Sequence, residues 1–299
     1  MSAFANSHSL AGPARYACVA PGSSVDRGVA ARVPIMGILN VTPDSFSDGG
    51  RFHHLDAALS GARMMAGDGA DVVDVGGEST RPGAQPVGLA DELARVVPVV
   101  QAIASELSVG ISIDTSKPGV MEAAVAAGAT MINDVLALRA DGAIETVRDL
   151  QVPVCLMHMQ GLPRSMQNHP RYDDVVSEVR EFLLGRIDAC VSAGMDEKNI
   201  IIDPGFGFGK TLQHNLALLA HLDVLVDTGV PVLVGLSRKS MIDAMLGRPM
   251  DRRVAASAAL AMIAVQKGAA MVRVHDVAET ADALNVAACI AAAGEHTAE

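Results

Sequence analysis

At 299 residues the chain is long enough for one large α/β barrel or for two ordinary domains, and it can bury a sizeable core. Hydrophobic residues make up 50% and aromatics only 3%, so that core is built from Ala, Val, Ile, Leu and Met. A net charge of −11 opposes non-specific attraction to nucleic acid or to anionic membrane surfaces, and an anionic substrate then needs a local cationic pocket.

Residues 1–32 are rich in Ala, Gly, Ser and Pro without periodicity and read as a loosely ordered N-terminal extension. They lack a charged segment followed by an apolar one, so they do not resemble a secretory signal. Cys18, Cys155, Cys190 and Cys289 lie far apart with no metal-ligand spacing and read as reduced thiols of a cytoplasmic protein. The longest apolar runs, such as residues 230–236, stop well short of the roughly 20 residues of a membrane-spanning helix.

From Val33 onward, short β-branched apolar runs alternate with longer amphipathic or Ala-rich segments. The runs are VPIMGILNV, DVVDVGG, GISIDTS, MINDVLA, VPVCLMHM, IIIDPG, VPVLVGLS and MVRVHDV, each followed by a helix candidate. Continuous apolar runs fit parallel strands covered on both faces. Eight such repeats predict a single α/β domain, a (β/α)8 TIM barrel over residues 33–292 with a tail at 293–299. A doubly wound open sheet is the structural competitor, since it too gathers its strand ends.

Nearly every run ends on a polar or glycine group: Asn40 and Thr42, the segment 76–80, Asp114, Asn133, His158, Asp203, Ser237, Arg273 and His275. A barrel brings these ends to one face. Asp114, Asn133 and Asp203 taken singly are ordinary caps or turn residues. Together on one rim they suit the edge of a polar heterocycle with adjacent N–H groups. Arg81, Arg238, Lys239, Arg273 and His275 follow strands two, seven and eight, and several cations on one rim of an acidic chain point to an anion there.

GFGFGKT at 205–211 is not a phosphate loop, because the position that needs the first glycine is Pro204. It reads as a flexible loop that lets backbone and Phe approach a ligand. Phe46, Phe52, Phe206 and Phe208 all fall in the predicted loops after strands one and six, which points to a planar ligand.

The segments ILNVTPDSFSDGG, GADVVDVGGESTRPGA, SIDTSKPGV, GATMINDV, IIDPGFGFGKT, GLSRKS and RVHDV, in this order and spacing, resemble the bacterial dihydropteroate synthase family over about residues 33–292. The resemblance implies a barrel enzyme that condenses 6-hydroxymethyl-7,8-dihydropterin diphosphate with 4-aminobenzoate, requires magnesium (Mg²⁺) and works as a homodimer. It assigns Asp114, Asn133, Asp203, Lys239 and Arg273 to the pterin. Phe46, Thr80, Arg81, Pro82, Phe208 and Ser240 flank the aminobenzoate. Asn40, Arg81, Lys239, Arg273 and His275 serve catalysis at the diphosphate, with Asn40 and Asp44 near the metal. The first loop, residues 41–50, is expected to close over the site as a mobile lid. Three other readings stand beside it: a corrinoid-dependent methyltransferase, a non-catalytic pterin-binding protein, and a Schiff-base aldolase using Lys239.

Overall fold

A computed structural model describes residues 32–42, 51–80, 83–161 and 166–295. The expectations for the N-terminal extension before Arg32 and for the first loop from Pro43 to Gly50 lie outside these residues. Among those described, eight parallel strands alternate with helices. In chain order they begin with β1 (Ile35–Asn40), α1 (Arg51–Gly67), β2 (Val72–Gly76), α2 (Leu89–Glu106), β3 (Gly110–Asp114) and α3 (Pro118–Ala126). Then come β4 (Met131–Asp134), α4 (Ala143–Leu150), β5 (Val154–Met157), α5 (Val175–Ser192), β6 (Ile200–Asp203), α6 (Leu212–Ala220) and α7 (Asp223–Val226). The chain ends with β7 (Leu233–Val234), α8 (Ser240–Leu246), α9 (Val254–Gln266), β8 (Met271–Val274) and α10 (Val277–Glu295).

The strand order β6-β5-β4-β3-β2-β1-β8-β7 places β1 between β2 and β8, and a parallel bridge between Ile202 and Val232 joins the two ends. The sheet therefore closes, which excludes the open doubly wound alternative and makes the fold a (β/α)8 TIM barrel. The run VPVLVGLS contributes only two residues to the ladder, and the helix α10 continues to Glu295, into the segment read from sequence as a tail. Arg32 is tied in rather than loose: its guanidinium meets Asp71 at 2.7 Å, and the same carboxylate accepts the Ile35 amide at 2.8 Å.

Strand side chains alternate between the helix layer and the barrel interior. Met36, Val72, Met131, Cys155, Ile201, Leu233 and Met271 form one buried apolar cluster inside the barrel. Two residues further along β2, β4, β6 and β8 stand Asp74, Asn133, Asp203 and Arg273, so period-two alternation aims them into the interior one layer higher. This layer is the floor of the C-terminal mouth, where barrel enzymes carry out their chemistry.

Candidate active site

Arg273 organises the floor. Its Nε donates to Asp74 Oδ2 at 2.6 Å and its Nη2 to Asp114 Oδ2 at 2.7 Å, while Asn133 Nδ2 donates to the same Asp74 oxygen at 3.1 Å. Asp74, Asp114, Asn133 and Asp203 are all buried. Among the described residues, Asp74 Oδ1 is buried without a hydrogen-bond partner. That atom is an acceptor for which the described residues supply no donor. Burial pushes the Asp114 carboxyl up to about 7, with Arg273 opposing and the neighbouring Asp74 carboxylate adding to the rise. Burial also raises Asp203, against the Gly205 amide and Lys239. Burial works against charge on Arg273, but Asp74 and Asp114 outweigh it and raise its pKa.

The β6 exit builds one wall. Asp203 Oδ1 accepts the Gly205 amide at 2.7 Å, and Lys239 places its ammonium 4.2 Å from the centre of the Phe208 ring. Burial lowers Lys239 to about 8 while Asp203 pulls the other way. The loop that its glycines marked as flexible has a backbone bonded almost residue by residue. Gly207 donates its amide to Asn215 Oδ1 at 2.8 Å and its carbonyl accepts from Gln167, while the Gly209 carbonyl accepts from the Tyr172 hydroxyl at 2.8 Å. Positive φ at Gly205, Gly207 and Gly209 explains the glycines by shape instead. Phe206 is a second correction: only 1% exposed, it belongs to the core and not to a ligand face. Phe208 packs beside Val135, Met157, Met159 and Met166.

The exits from β7 and β8 round to β1 and β2 hold the anion candidates. Ser237 Oγ accepts the His275 amide at 3.1 Å and stands 3.1 Å from its Nδ1, which fixes the orientation of the ring. Burial, then Arg273 and Arg238, push His275 down to about 3, so the ring is neutral. Arg238 is engaged by Asp276 through both Nε and Nη2 and does not stand with the free cations. Gly76 leaves space between Asn40 and Asp114, since a Cβ there lies 3.7 Å from Asn40 Oδ1 and 3.7 Å from Asp114 Oδ2. Thr80 is half-buried on the β2 exit, and Ser240 is exposed at the start of α8. Asp44, Phe46, Arg81 and Pro82 lie outside the described residues, as does the Phe52 side chain.

With this geometry in place, comparison with known proteins decides the family. Residues 36–275 match the model of the pterin binding enzymes. The chain is 54% identical over 252 residues to the dihydropteroate synthase of Haemophilus influenzae, covering 84% of this chain and 92% of the relative. The structure of Xanthomonas albilineans dihydropteroate synthase with 4-aminobenzoic acid superposes with a TM-score of 0.83 at 53% identity, covering 87% of this chain and 94% of that one. The same enzyme in complex with 7,8-dihydropteroate gives 0.80 at 50% identity, with the same coverage. The chain belongs to the dihydropteroate synthase family.

Within that family frame, several residues of this site were given no role of their own by the motifs and run ends that contain them. Asp74 is the clearest, and its signal was present: a carboxylate in the middle of the buried run DVVDV has no solvent to face. Lys210 and His158 form another pair, with Lys210 Nζ 2.9 Å from His158 Nδ1. Burial lowers Lys210 to about 7 and His158 to about 3. Below the β2 exit, buried Glu92 of α2 accepts from Thr115 at 2.6 Å and from Lys117, which also reaches Glu78. These bonds tie the base of the Thr80 loop to α2, where Gly77 packs so closely that a Cβ lies 2.7 Å from Val96.

Proposed function

We propose that this chain condenses 6-hydroxymethyl-7,8-dihydropterin diphosphate with 4-aminobenzoate to give 7,8-dihydropteroate and diphosphate, acting as a transferase of folate biosynthesis. One observation carries the reading. Asp74, Asp114, Asn133 and Asp203 form a buried acceptor set around Arg273, with Asp74 Oδ1 unpaired, which is the complement of a flat heterocycle edged by N–H groups. The 4-aminobenzoic acid and 7,8-dihydropteroate complexes of the Xanthomonas albilineans relative support the same pair of substrate and product.

In this reading the bond between the pterin methylene and the diphosphate oxygen breaks, and the bonding electrons leave with diphosphate. The positive charge spreads into the electron-rich ring, where the carboxylates of Asp114 and Asp203 stabilise it. The aryl amine, neutral at pH 7, supplies the electron pair for the new C–N bond and releases one proton. No strong base is required before attack. Arg81, His275 and Asn40 serve the departing anion. Arg273 lies beside the ring, and Lys239 spans pterin and diphosphate. Thr80, Pro82, Ser240, Phe46 and Phe208 flank the aminobenzoate.

The residues present fit Mg²⁺. Asn40 offers a hard oxygen at the mouth. That suits an ion which takes one or two protein oxygens and draws its other ligands from substrate phosphate and water. When bound with Asn40 and Asp44, it neutralises charge on the leaving diphosphate.

A homodimer belongs to the same proposal. Six of the nine large apolar side chains exposed among the described residues, Met245, Leu246, Met250, Ile263, Val286 and Ile290, lie on or between α8, α9 and α10. Such a concentration favours a self-associating face. No helix among the described residues is long and apolar enough to cross a membrane.

The deciding experiment supplies both substrates with and without Mg²⁺ and follows diphosphate release and 7,8-dihydropteroate formation. Metal-dependent product is expected, and its absence with folded protein sinks the reading. Light scattering at micromolar concentration reads the dimer.

A further inference from the structure

The loop after β6 is held by a buried cation that the chemistry above does not use. Lys210 is 3% exposed. Its ammonium reaches His158 Nδ1 at 2.9 Å, the Gly205 carbonyl at 3.0 Å and the Phe208 carbonyl at 3.1 Å. An ammonium has three N–H groups, and here each has an acceptor. His158 is itself fixed at the barrel rim, because its amide donates to the Asp203 carbonyl at 2.9 Å.

Each of the two carbonyls belongs to a peptide beside a ligand-facing group. Gly205 is the residue whose amide holds Asp203 Oδ1, and Phe208 is the residue whose ring lies under the Lys239 ammonium. Gly205 also lies against His158 so closely that a Cβ sits 1.9 Å from the His158 carbonyl oxygen. One cation therefore sets the register between an acceptor on β6, an aromatic ring on the loop and the β5 exit. An apolar side chain could fill the same volume, but it could not bind two carbonyls and an imidazole nitrogen at once. Burying a charge is costly unless every donor is matched, and here all three N–H groups have acceptors.

We propose that Lys210, held by His158, is a positioning residue for the pterin substrate: it shapes the 205–209 loop so that the Asp203 carboxylate and the Phe208–Lys239 pair meet the ligand in register. This rests on the pterin reading of the site. Neither side chain enters the reaction, and the effect passes through Gly205 and Phe208.

The test uses the full-length chain with Lys210→Met, His158→Leu and His158→Asn. Steady-state kinetics are read against both substrates, binding of the pterin diphosphate by calorimetry, and folding by thermal denaturation. For Lys210→Met the KM and Kd for the pterin diphosphate are expected to rise about tenfold, with kcat at saturation lower by about threefold or less. His158→Leu is expected to raise them about fivefold, and His158→Asn, which restores an acceptor near Nδ1, to recover most of that loss. A merely structural role lowers the melting temperature and leaves KM and Kd per folded molecule unchanged, and that result overturns the proposal. So does equal behaviour of His158→Leu and His158→Asn. If Lys210→Met does not fold, the two His158 variants decide alone. Failure of the unmodified chain to bind the pterin diphosphate or to form product defeats the pterin reading itself and this proposal with it. An active unmodified chain with insensitive variants defeats only the proposal.

Discussion

Arg273 and Asp74 meet at 2.6 Å across 199 residues of sequence, joining the eighth strand to the second inside the barrel. Asp74 is fully buried, and its Oδ2 also accepts from Asn133, so one oxygen holds two groups of the pterin floor. Asp74→Ala leaves Arg273 with Asp114 alone and frees the Asn133 amide. The expected cost is about 3 kcal/mol of folding stability, the low end for a broken buried ion pair because Asp114 remains. Urea denaturation measures it. A change under about 1 kcal/mol shows that the contact organises nothing.

The pH profile follows from neighbouring groups of the site. Asp114 titrates near 7, so its acceptor form grows as pH rises through that value. Lys239 titrates near 8, so its charge is lost as pH rises further. With these charged forms required, and with the Lys210 ammonium discharging from about pH 7 as well, kcat/KM for the pterin diphosphate rises toward about pH 7 and falls above it, a narrow bell. Lys239→Met should remove the part of the alkaline limb near pH 8 while leaving the acid limb and the Lys210 share of the fall, at much reduced activity. A profile that is flat between pH 6 and 9 contradicts the assignment.

Asp203→Asn replaces an acceptor oxygen by a donor facing a donor edge. Loss of a charge-assisted bond in a closed site costs about 2–3 kcal/mol, or roughly 30-fold to 150-fold in affinity. Calorimetric titration with the pterin diphosphate reads it directly, and unchanged affinity removes Asp203 from the pterin site.

Gly205→Ala tests the shape of the β6 exit. The residue has φ of +67°, and a Cβ lies 1.9 Å from a backbone oxygen of His158 that cannot swing away. Left-handed strain and the clash together are expected to destabilise the fold by roughly 3 kcal/mol. A melting temperature within about a degree of the unmodified chain contradicts this.

The barrel was legible in the sequence because each strand is a short apolar run ending on a polar group, so Asn40, Asp114, Asn133, Asp203 and Arg273 announced themselves at run ends. Asp74 did not, because it sits inside its run and only the period-two alternation of β2 turns it toward the mouth. Lys210 was hidden for a different reason. Its partners are His158 and two carbonyls, and a sequence names neither the 52-residue step to His158 nor a carbonyl's direction. Glycines in the same loop suggested motion, and the positive φ that each of them carries is visible only in the folded chain. Phe206 looked available because its neighbours are loop residues, yet the loop turns it into the core. Arg238 looked like a member of the anion site because its partner, Asp276, lies 38 residues further on.

The circle of strands is not equally welded. Ladders of several residues bind β1 to β2 and β2 to β3, whereas β6 and the chain before β7 share the single Ile202–Val232 bridge. Asp203 ends one side of that thin seam, and Lys239 follows the other. The bonds from Arg273 to Asp74 and Asp114 run across the barrel interior and do not cross that seam. A ligand that met both Asp203 and Lys239 would therefore span the least-bonded joint of the ring.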